Sequence, residues 1–178
     1  MTPRIAYLLV AALLGLSQCK KKDEPIPVDQ LPPATQTGAN TIGCLVNGQP
    51  WTPSGYTGSS NYAVSYDPNP YGVFDLTSYR YPIPSGKNFE SLHIYARNLQ
   101  TIRTYDLKDL SLTRITWNDT STGCELNSDD TGTYHKGTLI ITRLDLQAGI
   151  ISGTFNFVLA KPGCDTVRVT QGRFDKRL

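Results

Sequence analysis

The chain is poor in the residues from which most active sites are built. Only two histidines occur, His93 and His135, far apart in sequence. No Cys-x-x-Cys pair exists and no histidine lies near a cysteine, so the spacings of structural zinc sites are missing. G-x-S-x-G, the phosphate loop, G-x-G-x-x-G and H-E-x-x-H are absent as well. With no signature for a nucleophile, a nucleotide or a metal, the expectation is a non-enzyme without metal or cofactor. Charge is also scarce. Charged residues make up 18% of the chain and the formal net charge is +2. That is no polyanion-binding signature, so nucleic acid is not an expected partner. Beyond the N-terminal segment no run approaches the ~20 apolar residues that span a bilayer.

What is present begins at the N-terminus. Arg4 precedes an apolar run from Ile5 to Leu16, closed by Ser17-Gln18-Cys19. A charged start, a short apolar stretch and a small-residue end form the pattern of a secretory signal. A Cys at that end resembles the lipobox of bacterial lipoproteins. The resemblance implies that residues 1–18 are cut away and that Cys19 is lipidated and becomes the first residue. Gln18 stands where the usual lipobox has Gly, Ala or Ser, as in the looser lipoboxes of Bacteroidetes lipoproteins. The expected location is the cell envelope, as an outer-membrane lipoprotein facing the periplasm or the surface, with Cys19 holding the chain to the membrane. Two or more acyl chains give stable association. Lys20-Lys21-Lys22 follows. It can touch anionic headgroups at ~1 kcal/mol per charge, or simply start a solvated tether. Residues 19–40 carry Pro25, Pro27, Pro32 and Pro33 without apolar periodicity. They read as a flexible, extended tether at ~3.1 Å per residue.

Residues 41–178 read as a single β domain, long enough for a real core. The apolar pattern has period two. Short runs rich in Val, Ile, Thr, Tyr and Phe are separated by Gly, Pro, Asn and Asp clusters. Thr41 to Val46 ends at the tight-turn pair Asn47-Gly48. Tyr62 to Tyr66 and Gly72 to Tyr79 follow. In Phe89 to Arg97, Leu92, Ile94 and Ala96 share one face, and His93, Tyr95 and Arg97 the other. Leu110 to Trp117 shifts phase, which predicts a β-bulge near Thr113 or Arg114. Thr101 to Leu110 has room for a helical turn or two. Gly137 to Asp145, Ile150 to Leu159 and Thr166 to Asp175 read as three consecutive antiparallel strands. Gly153 makes room for a bulge or a neighbouring side chain, and Arg173 and Asp175 share a face where they can pair. About eight strands in all predict an antiparallel β-sandwich or an open β-barrel.

Once Cys19 is lipidated, Cys44, Cys124 and Cys164 remain, which allows three single bridges. Cys124–Cys164 is favoured because both lie in loop-like surroundings. Cys44 sits in an apolar run and reads as a small buried hydrophobe. Asn127, Asp129 and Asp130 form an oxygen-rich cluster, but without EF-hand spacing it reads as a solvated turn.

Gly43-Cys44-Leu45-Val46-Asn47-Gly48 with Trp51 opens the domain, and Ser152-Gly153-Thr154-Phe155 and Gly172-Arg173-Phe174-Asp175 close it. These segments resemble a family of Bacteroidetes lipoproteins of unknown function. The resemblance covers both ends of residues 31–178 and implies an all-β domain without an activity to transfer. The function-bearing candidate is aromatic. Trp51, Tyr62, Tyr66 and Tyr71 crowd one Gly-, Ser- and Pro-rich stretch, where rigid amphipathic rings can stack on a glycan or a peptide. The competing reading is that these rings cover the sheet, half buried. The expected role is a non-catalytic binding module, with docking to another envelope protein as the alternative.

Overall fold

A computed structural model describes residues 26–56, 58–81 and 88–178. The signal segment, Cys19 and the lysine run lie outside the described residues. The chain is all-β, with eleven strands in two antiparallel sheets. The strands are β1 Thr41–Val46, β2 Gln49–Trp51, β3 Tyr62–Asp67, β4 Val73–Arg80, β5 Glu90–Ala96 and β6 Thr104–Asp106. They continue with β7 Thr113–Asp119, β8 Cys124–Asn127, β9 Tyr134–Asp145, β10 Ile150–Ala160 and β11 Val167–Arg177. One sheet has the order β2-β1-β11-β10-β9-β6 and the other β3-β4-β5-β7-β8. The order does not close on itself, so the architecture is the sandwich and not the barrel.

Alternation decides which residues face inward. Leu76, Leu92, Ile94 and Ile115 from the five-stranded sheet are fully buried, as are Cys44, Ile141, Ile151 and Leu159 from the six-stranded sheet. Rings bridge the two sheets: Phe74 meets Phe174 at 5.5 Å and Trp51 meets Trp117 at 5.9 Å between centroids. Cys124 of β8 and Cys164, in the link after β10, form a disulfide with their Cα atoms 5.8 Å apart. Cys44 is free and buried.

Two glycines let long strands bend over this core. A Cβ on Gly153 would sit 2.3 Å from the Ile140 carbonyl and 2.8 Å from the Phe174 ring. The β9–β10 register shifts at that point. A Cβ on Gly172 would meet the Phe155 ring at 2.5 Å, beside Gln171 at φ 53°. There the register of β11 shifts against both neighbours.

Three expectations about secondary structure and the tether are corrected. The phase shift in Leu110 to Trp117 is not a bulge. Asp109 caps a turn, its carboxylate accepting from Ser111 and its carbonyl from the amides of Leu112 and Thr113, and the strand starts only at Thr113. Thr101 to Leu110 holds no helical turn but bends and the short β6, with Tyr105 buried. Residues 26–40 are not a flexible tether. A four-residue 3-10 turn, Pro27–Gln30, leads into a segment laid on the six-stranded sheet. Leu31 is buried, and Pro32 lies where Gly43 lacks a side chain.

The clamp on this segment is Asp175. Its carboxylate accepts the amides of Thr37 at 2.9 Å, Gly38 at 2.8 Å and Ala39 at 3.0 Å. It also accepts the hydroxyls of Thr35 at 2.6 Å and Ser152 at 2.7 Å. The expected Arg173–Asp175 pair therefore does not form, and Arg173 Nε donates to the Gln171 carbonyl. Burial works against the charged carboxylate, but these donors outweigh it and hold Asp175 well below the usual carboxylate range.

Asp175→Asn is expected to cost about 2–3 kcal/mol, because a charged acceptor loses its donors. Urea unfolding checks the cost, and faster proteolysis within residues 26–40 checks the mechanism. Since the folded pKa lies below the unfolded value of ~3.9, the contribution is full at neutral pH and is lost progressively as pH falls below ~4. The variant's stability is flatter with pH in that acid range. The disulfide closes a sequence separation of 40 residues. Cys124→Ser with Cys164→Ser is expected to lower unfolding free energy by about 3–4 kcal/mol on the loop-entropy account. An unchanged urea midpoint would rule that out.

Candidate functional site

The aromatic stretch does not assemble into a binding surface. Trp51 is fully buried and its indole N–H donates to Glu90 Oε2 at 2.7 Å. Glu90 also takes Arg80 Nε at 2.7 Å, and the Arg80 guanidinium sits 5.6 Å from the Trp51 ring centroid. Trp51 thus ties β2 to β4 and β5. Beside it, burial pushes the Cys44 thiol up to about 12, so it stays protonated and inert. Tyr62 is also buried, with the Lys176 ammonium 5.0 Å from its ring. Its hydroxyl has no hydrogen-bond partner among the described residues, and burial and then Asp175 raise its pKa. Tyr66 is half-buried and donates to the Leu99 carbonyl at 2.7 Å. Tyr71 is exposed but stands apart from the other three. Two of the four rings predicted to bind are core, and one is a loop clasp. The reason is positional: in alternating strands the large rings go to the inner face or fasten the strand ends.

The exposed chemistry lies on the outer face of the five-stranded sheet. Register aligns Thr77, His93, Thr116 and Asn127 in one cross-strand row. Asp75, Tyr95 and Arg114 form the next. His93 Nε2 meets Asp75 Oδ2 at 3.0 Å, and Thr77 donates to the other Asp75 oxygen at 3.2 Å. Arg114 pairs with Asp129 across the edge. Behind Tyr95 a recess of about 230 Å³ is lined by Arg97, Ser111, Thr113 and Arg114 among others. Arg97 Nε is fixed on the Ser111 carbonyl at 2.7 Å.

This face offers one aromatic ring, two guanidinium groups, carboxylates and hydroxyls on a rigid sheet. Such a set recognises a hydroxylated or polar ligand by hydrogen bonding and stacking. It does not hold a nucleophile against a base. His93 Nε2 meets Asp75, Thr77 donates to Asp75 and the Thr116 hydroxyl lies 3.5 Å from Asn127, so neither threonine hydroxyl is bonded to the imidazole. His135 sits elsewhere, against the carbonyls of Thr133 and Lys108. The Asn127-to-Asp130 cluster is taken up by cations of the chain, Asp129 by Arg114 and Asp130 by Lys161 at 3.3 Å. No group of metal-ligating side chains occurs among the described residues. The outward trio His93, Tyr95 and Arg97 is visible in the sequence as alternation. Asp75 and Arg114 come to it only through strand register.

A family model for a domain of unknown function, DUF6252, matches residues 76–176. The chain belongs to this family. No curated protein and no solved structure matches it. The DUF6252 region starts inside β4 and ends inside β11, and so contains the whole recess and Asp175 itself. The docked N-terminal segment lies before it.

Trp51→Ala is expected to destabilise the fold by about 3–5 kcal/mol, as for a large core ring. Tyr71→Ala should stay within about 0.5 kcal/mol, as for an exposed site. Thermal unfolding separates the two, and equal shifts would contradict the burial difference.

Proposed function

We propose that this DUF6252 chain is a lipid-anchored, non-catalytic binding module of the cell envelope. The anchor reading rests on the Leu16-to-Cys19 signal end. The binding reading rests on one observation, the rigid polar outer face of the five-stranded sheet with the Tyr95 recess. A glycan is the ligand class that suits it best. Sugar hydroxyls can satisfy Asp, Asn, Thr and Arg groups already held in register, and Tyr95 supplies a stacking ring. A sheet face pays little ordering cost on binding, because its side chains are spaced by backbone pairing.

The full chain, solubilised in detergent, is applied to glycan and peptide arrays. Tyr95→Ala and Arg114→Ala are each expected to weaken glycan binding at least about tenfold, as for central contact residues. Tyr71→Ala leaves it unchanged. Binding that survives both substitutions removes this face, and binding to peptides alone removes the glycan. The anchor is read separately by intact mass of the envelope-extracted chain. The expected mass lacks residues 1–18 and carries acyl groups on Cys19.

A further inference from the structure

The two outer faces of the sandwich differ in charge. On the six-stranded sheet, Arg168, Arg173 and Arg177 point outward along β11, on the side away from Val167, Val169 and Phe174. Lys136 stands opposite Val158 on the same face. None of these four cations pairs with a carboxylate among the described residues. Acidic groups there are few or spent: Asp145 is held by Arg143, and Asp175 is buried under the docked segment, which leaves Asp106 and, on the docked segment itself, the exposed Asp29. The opposite sheet presents Asp67, Asp75, Glu125 and Asp129 against Arg97 and Arg114. The basic face also exposes Tyr134 and Ile140, at 53% and 36%. Between its cations lie two recesses that share Asn156. One, of about 430 Å³, is bounded by Arg173 and Gln171, and the other, of about 400 Å³, by Lys136 and Thr170.

The chain's path supplies the second observation. The segment before β1 lies on this same face, with Pro32 over Gly43, Gln36 on Arg143 and residues 35–39 around Asp175. Only residues 20–25 separate Cys19 from the first described residue, Ile26. At most ~3.6 Å per residue, they reach roughly 25 Å. The domain is thus held close to its attachment point, where a field screened over ~8–10 Å can act on it.

We infer that the outer face of the six-stranded sheet is the membrane-facing side, seated on anionic phospholipid headgroups by Lys136, Arg168, Arg173 and Arg177. Phosphate enters the recess beside Arg173, while Lys136 meets headgroups from the rim of the second recess, which also holds Asp106, and Tyr134 and Ile140 meet the interface. The inference deepens the lipid-anchor reading and takes its orientation from it. Its consequence is that the Tyr95 face points away from the bilayer, free for a ligand.

The test is lysine acylation footprinting of the full chain on phosphatidylglycerol vesicles and on phosphatidylcholine vesicles. Lys136 labelling is expected to fall severalfold on phosphatidylglycerol only, and to recover in high salt. Lys161, which donates to the Glu125 carbonyl at the far sheet, serves as the unprotected control. Arg168→Gln with Arg173→Gln, both surface changes, should restore Lys136 labelling and weaken vesicle binding about thirtyfold. Equal labelling of Lys136 and Lys161 on phosphatidylglycerol overturns the inference. So does protection by phosphatidylcholine, or by a soluble polyanion and not by vesicles. Intact mass reports acylation of Cys19 independently, so an unlipidated Cys19 removes the anchor while the footprint still decides the face.

Discussion

One carboxylate organises how this chain begins and ends. Asp175 lies near the close of the last strand, yet its partners are the residues that precede the first. A buried carboxylate is costly unless donors surround it. Here three consecutive amides and two hydroxyls do so, which no side-chain cation could match in so small a space. The same contacts satisfy the amides of Thr37, Gly38 and Ala39, which a proline-rich segment could not pair by continuing a sheet. Gly38 takes φ 75° so that its amide turns toward the acid. The carboxylate and the segment each resolve the other's unsatisfied groups.

That closure fixes what the six-stranded sheet can expose. Its outer face is half covered by residues 31–40, with Pro32 filling the space above Gly43 and Gln36 taking up Arg143. The remainder is left to β9, β10 and the start of β11, where alternation puts basic and hydroxyl side chains outward. Among the described residues the five-stranded sheet has no such cover, and its polar rows stay open from β3 to β8. The disulfide joins β8 to the link after β10, and so holds the two sheets together at one end. The Trp51–Glu90–Arg80 group does the same for β2 against β4 and β5.

The fold was legible where side chains alternate without interruption. Phe155, Phe157 and Leu159 on β10 and Leu92, Ile94 and Ala96 on β5 announce both strand and inner face, and all six are buried. The strands that escaped are short and sit at sheet edges. β2 contains Pro50, which a strand tolerates only at an edge, and β8 is four residues long beside a disulfide. The stretch from Leu110 misled because Asp109 caps a turn inside an apolar run, and a turn and a bulge shift phase alike. The aromatic stretch misled for a different reason. Tyr and Trp carry a polar tip, so composition cannot tell a wet ring from one whose N–H or O–H is satisfied inside, as Trp51 is by Glu90. The docked segment was hidden because prolines and threonines resemble a tether until a distant acid gives their amides a partner. Asp175 is 136 residues from Ala39, and no local pattern can carry that pairing.

A sandwich has two outer faces, and a chain tied to a surface through its N-terminus does not present them equally. On the lipid-anchor reading, the Asp175 clamp shortens a tether of about twenty residues to the few that precede Ile26. A long tether would let the domain tumble, and charge asymmetry would then average out over a screening length. A short one converts the same asymmetry into a preferred orientation, because each exposed cation near an anionic surface contributes ~1 kcal/mol and each carboxylate opposes it. On the proposed anchoring, orientation depends less on any single arginine than on Asp175, which holds residues 35–39 on the basic sheet. On the same proposal the polar rows around Tyr95, on the opposite sheet, face away from the membrane.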